Sequence, residues 1–130
     1  MKTFAFFCTA LAIACLPHAA SARELGLTKQ HSACMDKSGD TTTAMIECMT
    51  AETKRQDALL NKAYKALMTD LPPARKTQLQ DAQRAWMKYR DANCGFYYDP
   101  NGGTLARVSA NDCVMTSTAE RARELESLKQ

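Results

Sequence analysis

Residues Phe4 to Leu16 are almost continuously apolar, follow the positive start Met1-Lys2, and lead into the small residues Ala20-Ser21-Ala22. A short apolar run between a cation and a small-residue site predicts an export leader over residues 1–22. The run breaks at Leu16-Pro17-His18, short of the ~20 apolar residues that a membrane-spanning helix needs. A competing reading is lipid attachment at Cys15, behind Ala12-Ile13-Ala14, where a larger aliphatic residue is usual.

Beyond the leader the apolar positions recur at helical spacing. One helix is predicted from Thr41-Thr42-Thr43, any of which could cap it, to about Asp70, where Leu71-Pro72-Pro73 stops it. Met45, Met49, Leu60, Tyr64 and Leu67 form its apolar line, with polar residues from Glu52 to Asp57 interrupting it. A second helix runs from about Pro73 to about Asn93 through Leu79, Ala82, Trp86 and Tyr89, and ends at Cys94-Gly95. A third spans about Ala110 to Leu128, with Val114, Thr118, Arg121, Leu125 and Leu128 on one stripe. Between them lies a link, Gly95 to Ser109, and no strand pattern competes. The predicted class is all-α: an antiparallel helical hairpin plus a third helix, in a domain over residues 41–130 preceded by an N-terminal segment, 23–40.

Cysteine usage adds a brace. Cys34, Cys48, Cys94 and Cys113 remain after the leader, an even number that suits two disulfides in an exported chain. In a hairpin turning at Pro72, facing residues are symmetric about position 71, as Cys48 and Cys94 are. That register favours Cys48 with Cys94, leaving Cys34 with Cys113, while the other connectivities stay open. The same symmetry sets Glu52 opposite Arg90. If the third helix returns with Cys113 near Cys48, Arg121 falls level with Gln56 and beside Asp57. Two structural ion pairs follow, Glu52 with Arg90 and Asp57 with Arg121, with Asn61 and Gln83 as further hydrogen-bonding members; solvated surface charges are the alternative.

Charge and chemistry narrow the function. The chain holds 17 basic and 14 acidic residues, and losing Lys2 with the leader changes its formal charge from +3 to +2. That is too balanced for a dedicated nucleic-acid binder. Catalysis is not expected: no phosphate-binding Gly-rich loop, metal cluster or Ser/His/Asp set occurs, and His31, in a segment expected to be mobile, is the one histidine beyond the leader. No cofactor is expected. A metal-handling role for His31, Met35 and the methionines 45, 49, 68, 87 and 115 competes with ordinary core filling.

Several elements of the pattern together resemble the LprI-type lysozyme inhibitor domain. They are Cys48 with Glu52, Asp57-x-x-Leu60-Asn61-x-x-Tyr64, Gln83-x-x-Trp86-x-x-Tyr89-Arg90-Asp91 before Cys94, Gly102-Gly103-Thr104, Cys113, and Thr118-x-x-Arg121-x-x-x-Leu125. The resemblance covers about residues 34 to 128 and implies a disulfide-linked helical protein of the bacterial envelope, with lysozyme as the partner to consider. An inhibitor of a cleft enzyme needs a rigid projection, and the Gly95–Ser109 link supplies Tyr97, Tyr98, Asp99 and Asn101 as candidate contacts. Phe96 is expected to cap the core instead, and Asn101-Gly102-Gly103 to make a turn. An envelope protein with a different partner is the alternative.

Overall fold

The computed structural model describes residues 25–129, so the readings of residues 1–22 and of Cys15 lie outside the described residues. Helix α1 spans Lys29–Ser38, α2 Thr42–Asp70, α3 Pro73–Tyr97 and α4 Gly103–Ser127. The class is all-α as expected, with a helix where residues 23–40 suggested a mobile segment. Thr28 caps α1 by accepting the His31 N–H on its hydroxyl. No residue of α1 is fully buried, so its short sequence carries no apolar stripe that could have announced it.

Helix α2, 29 residues and about 43 Å long, ends where Leu71 turns extended before Pro72, as steric conflict with a following proline requires. Pro73 then opens α3 at a position where no N–H is needed. The last helices are both longer than predicted. The link from Gly95 to Ser109 shrinks to the turn 98–102, because α3 continues through Tyr97 and α4 starts at Gly103. Gly103 has φ +63°, the positive angle expected of this turn. At Gly102 the constraint is space, since a Cβ there would lie 2.7 Å from that of Ala106.

The main packing seam joins α2 to α4, with α1 added to α2 and α3 added to α4. Leu60, Ala63 and Leu67 meet Ala122 and Leu125, flanked by Tyr64, Leu71, Leu79 and Trp86. The alanines at 63, 119 and 122 are buried and let the two long helices approach closely. Met49 and Met115 are buried as core residues. Helices α2 and α3 share a turn but make little close backbone contact, because α4 takes the position against α2 that the simple hairpin assigned to α3. The apolar line expected for α3 is therefore only half used: Leu79 and Trp86 reach the core, whereas Ala82 and Tyr89 are exposed.

This arrangement overturns the expected disulfide pairing. Cys34 is bonded to Cys48 and Cys94 to Cys113, with Cα separations of 5.7 and 5.4 Å. Symmetry about the Pro72 turn fails because positions 48 and 94 belong to helices that diverge. Each cysteine instead finds its partner across the connection nearest to it, from α1 to α2 and from α3 to α4.

Digestion of the unreduced chain should release peptides joining Cys34 to Cys48 and Cys94 to Cys113; a Cys48–Cys94 peptide would contradict the fold. Gly102→Ala should destabilise the domain by about 1–2 kcal/mol, the cost of forcing a methyl into an occupied space, measurable by urea unfolding against a Gly95→Ala control.

Candidate interaction surface

Of the polar residues predicted to form a network, Glu52, Gln83 and Arg121 are buried and Arg90 is partly buried, each with other partners than expected, while Asp57 and Asn61 stay on the surface. Glu52 is wholly inaccessible to solvent on the seam of α2. Its Oε1 accepts from the Thr28 N–H at 2.9 Å and from Gln56 Nε2 at 2.7 Å. Its Oε2 accepts from Thr28 Oγ1 at 2.6 Å and from Arg55 Nε at 2.7 Å. Burial by itself raises the pKa of this carboxyl, yet the hydrogen bonds from Thr28, Gln56 and Arg55 outweigh it and bring the pKa down to about 2. Gln56 also donates to the Gly26 carbonyl at 3.0 Å, so one pair of side chains on α2 holds the chain that leads into α1.

Glu52 does not pair with Arg90. Arg90 instead meets Asp91 at 2.7 Å, donates to Thr118 Oγ1 at 3.4 Å and stands 5.0 Å from the centre of the Trp86 ring. Asp57 does not pair with Arg121 either; it accepts from Asn61 Nδ2 at 3.0 Å on the surface. Gln56 and Ala122 line one depression between α2 and α4. Arg121, however, turns toward α3, where its Nε donates to Gln83 Oε1 at 3.0 Å, its Nη1 meets Glu124 at 2.7 Å and its guanidinium lies 5.8 Å from the Trp86 ring centre. The buried Gln83–Arg121 bond and Trp86 fasten α3 to α4.

At the other end of α3 the chain turns back sharply, braced by Cys94–Cys113. Here Phe96 is 85 % exposed, against the expectation that it caps the core, and Leu105 is 72 % exposed. Tyr97 and Tyr98 are also about half exposed, and the Phe96 and Tyr97 rings meet edge to face with centroids 6.2 Å apart. The turn is rigidified from within: Asp99 Oδ1 accepts from the Asn101 N–H at 2.8 Å, and the Asp99 carbonyl accepts from the Gly102 N–H at 3.0 Å. Asp99 therefore shapes the turn as well as charging it, while Asn101 is exposed at its apex. Exposed Asp91, Asp99 and Asp112 outnumber Arg107, the single cation between positions 91 and 113. Between 54 and 90 the balance is reversed, with nine basic side chains against Asp57, Asp70 and Asp81.

The result is a narrow, stiff tip carrying large apolar side chains that nothing in the fold covers, on the acidic part of a chain whose remaining charge is basic. Phe96 was expected to cap the core because an aromatic close to a buried cysteine ordinarily packs inward. Its helical phase on α3, opposite the side that meets α4, is visible only once the helix is known to continue past Asn93.

Comparison with known proteins adds a family. A family model described as "Lysozyme inhibitor LprI" matches residues 34–125. The chain is also similar to an uncharacterized protein of Rhizobium meliloti (strain 1021), 27% identical over 97 residues that cover 64% of this chain and 70% of that protein. No solved structure matches.

The buried carboxylate makes stability depend on acid. With its pKa lowered to about 2 in the fold, Glu52 stabilises the native state fully above the ordinary carboxyl range near 4.5, and loses that contribution as the pH falls from there toward 2. The contribution is on the order of 3 kcal/mol. Urea unfolding measured from pH 6 to pH 2 should show this loss in the native chain and a flatter profile in Glu52→Gln; parallel profiles would contradict the assignment.

Proposed function

The chain belongs to the Lysozyme inhibitor LprI family, and on that premise we propose that it is an exported binding protein, not an enzyme, that inhibits a lysozyme with the aromatic tip between α3 and α4. The observation that carries this reading is the exposure of Phe96, Tyr97, Tyr98 and Leu105 on a turn clamped by Cys94–Cys113. Aromatic side chains bury much area for little loss of conformational freedom, and a braced turn has already lost most of its own. Such a projection suits a cleft.

Charge supports the same end of the molecule. Animal-type lysozymes are typically basic, and a chain of overall positive charge gains nothing from net attraction. Segregation changes that: exposed Asp99 and Asp112 stand in the tip segment against Arg107, with Asp91 paired to Arg90, and the excess of lysine and arginine lies along α2 and α3 between positions 54 and 90. A basic enzyme is then drawn to the tip and turned away from the opposite end. Two disulfides suit an oxidising compartment, and among the described residues no helix is long and apolar enough to cross a membrane. With the leader over residues 1–22, these features support a periplasmic or secreted location.

Purified oxidised chain should inhibit animal-type or goose-type lysozyme in a dose-dependent manner, more weakly as salt is raised. A Tyr97→Ala/Tyr98→Ala variant and a Phe96→Ser variant with unchanged melting should each weaken inhibition about tenfold or more. Inhibition unaffected by both variants would remove the tip from the interface. No inhibition of either enzyme at micromolar protein would assign the tip to another envelope partner.

A further inference from the structure

Because α2 and α3 diverge, an open groove of about 310 Å³ runs between them, at the lower end of the ~300–1,000 Å³ typical of small-molecule sites. We propose that this groove binds a short neutral saccharide carrying acetamido groups. Its lining is mixed: Tyr64 and Trp86 supply aromatic surface, while Asn61, Gln80 and Gln83 supply amides. A sugar ring has apolar C–H faces and a rim of hydroxyls that both donate and accept, which is the complement of such a lining.

Gln83 makes the site more than a crevice. It is only 7 % exposed, and its Oε1 is committed to Arg121 Nε at 3.0 Å. Since the arginine can only donate, the amide must present its oxygen to α4 and its nitrogen away from it. That nitrogen has no hydrogen-bond partner among the described residues, and it is not among the polar atoms sealed from solvent, so it opens on the groove. A donor whose direction is fixed from behind by Arg121 and which opens on the groove is a preorganised contact for a carbonyl oxygen, such as that of an acetamido group. Trp86 is held in position by Arg90 at 5.0 Å and Arg121 at 5.8 Å from its ring centre.

The charges favour a neutral ligand over a polyanion. Arg90 is neutralised by Asp91 at 2.7 Å, and the remaining guanidinium, Arg84, shares the groove with the Asp57 carboxylate. The site is separate from the tip, since Gln83 and Phe96 lie on one helix about 20 Å apart at 1.5 Å per residue. It does not rest on the lysozyme reading.

Trp86 is the chain's single tryptophan, so its fluorescence reports directly on the groove. Chitotriose, titrated into the oxidised chain without lysozyme, should give a saturable Trp86 change at millimolar sugar or below, and maltotriose, lacking acetamido groups, a weaker one. Gln83→Glu keeps an acceptor for Arg121 while removing the donor, and should weaken chitotriose binding about tenfold with no loss of thermal stability. Should that variant melt early, Asn61→Ala, on the exposed rim, carries the same test with a smaller expected loss. Absence of a Trp86 response with no shift of the Asn61 or Gln83 amide resonances, unchanged affinity in both variants, or preferential binding of inorganic phosphate would each overturn the proposal.

Discussion

A carboxylate with no access to water lies on α2, and the position of the segment that leads into α1 follows from how it is satisfied. Glu52 could not be buried as an anion unless its oxygens were filled with donors. Thr28 supplies its backbone N–H and its hydroxyl, Gln56 and Arg55 the rest. The same Thr28 hydroxyl accepts the His31 N–H and so starts α1. A single residue thus connects the charge inside α2 to the helix that lies on it, and Cys34–Cys48 closes the arrangement from the other end. Helix α1, which buries none of its own residues completely, is held by these few specific bonds rather than by apolar area.

The rest of the fold repeats this division of labour. Apolar contact between α2 and α4 supplies the driving force, through Leu60, Leu67 and Leu125 with alanines between them. Polar groups then decide direction: Gln83 and Arg121 fix how α3 leans on α4, because moving either would leave a buried donor or acceptor unpaired. Such pairs add little net stability relative to well-packed apolar residues, but they are intolerant of misplacement. This is how a chain with a modest core holds a helix that is exposed along most of its length.

Both proposed sites rest on the same geometry. Helix α3 touches the core along one side, so its C-terminal end is free to project and its flank toward α2 is free to form a groove. The tip is stiff because Cys94–Cys113 and the Asp99 turn bonds constrain it at close range. The groove is defined because Arg121 orients Gln83 from behind. Opposite charge bias at the two ends of the molecule gives the surface a direction that the net charge of +3 conceals.

Periodicity, prolines and cysteine count by themselves determined an all-α chain, the stop of one helix at Leu71-Pro72-Pro73, the face of α2 that is buried, the presence of two disulfides and the family motifs. These are local properties, set by backbone sterics and by which side chains recur at helical spacing. The partners of Cys48, Glu52, Asp57 and Arg121 were decided only in three dimensions. A symmetric hairpin predicts the partners of Cys48 and Glu52 wrongly because it assumes that neighbours in sequence pack along their length, whereas Ala119 and Ala122 let α4 fit more closely against α2 than α3 does, and Arg121 misses Asp57 because it turns toward Gln83 on α3. Helix α1 and the exposure of Phe96 were hidden for the related reason that neither carries a periodic signal. What places them is a hydrogen bond to Thr28 and a helix that runs past its apparent end, and both depend on surfaces that exist only once the chain has folded.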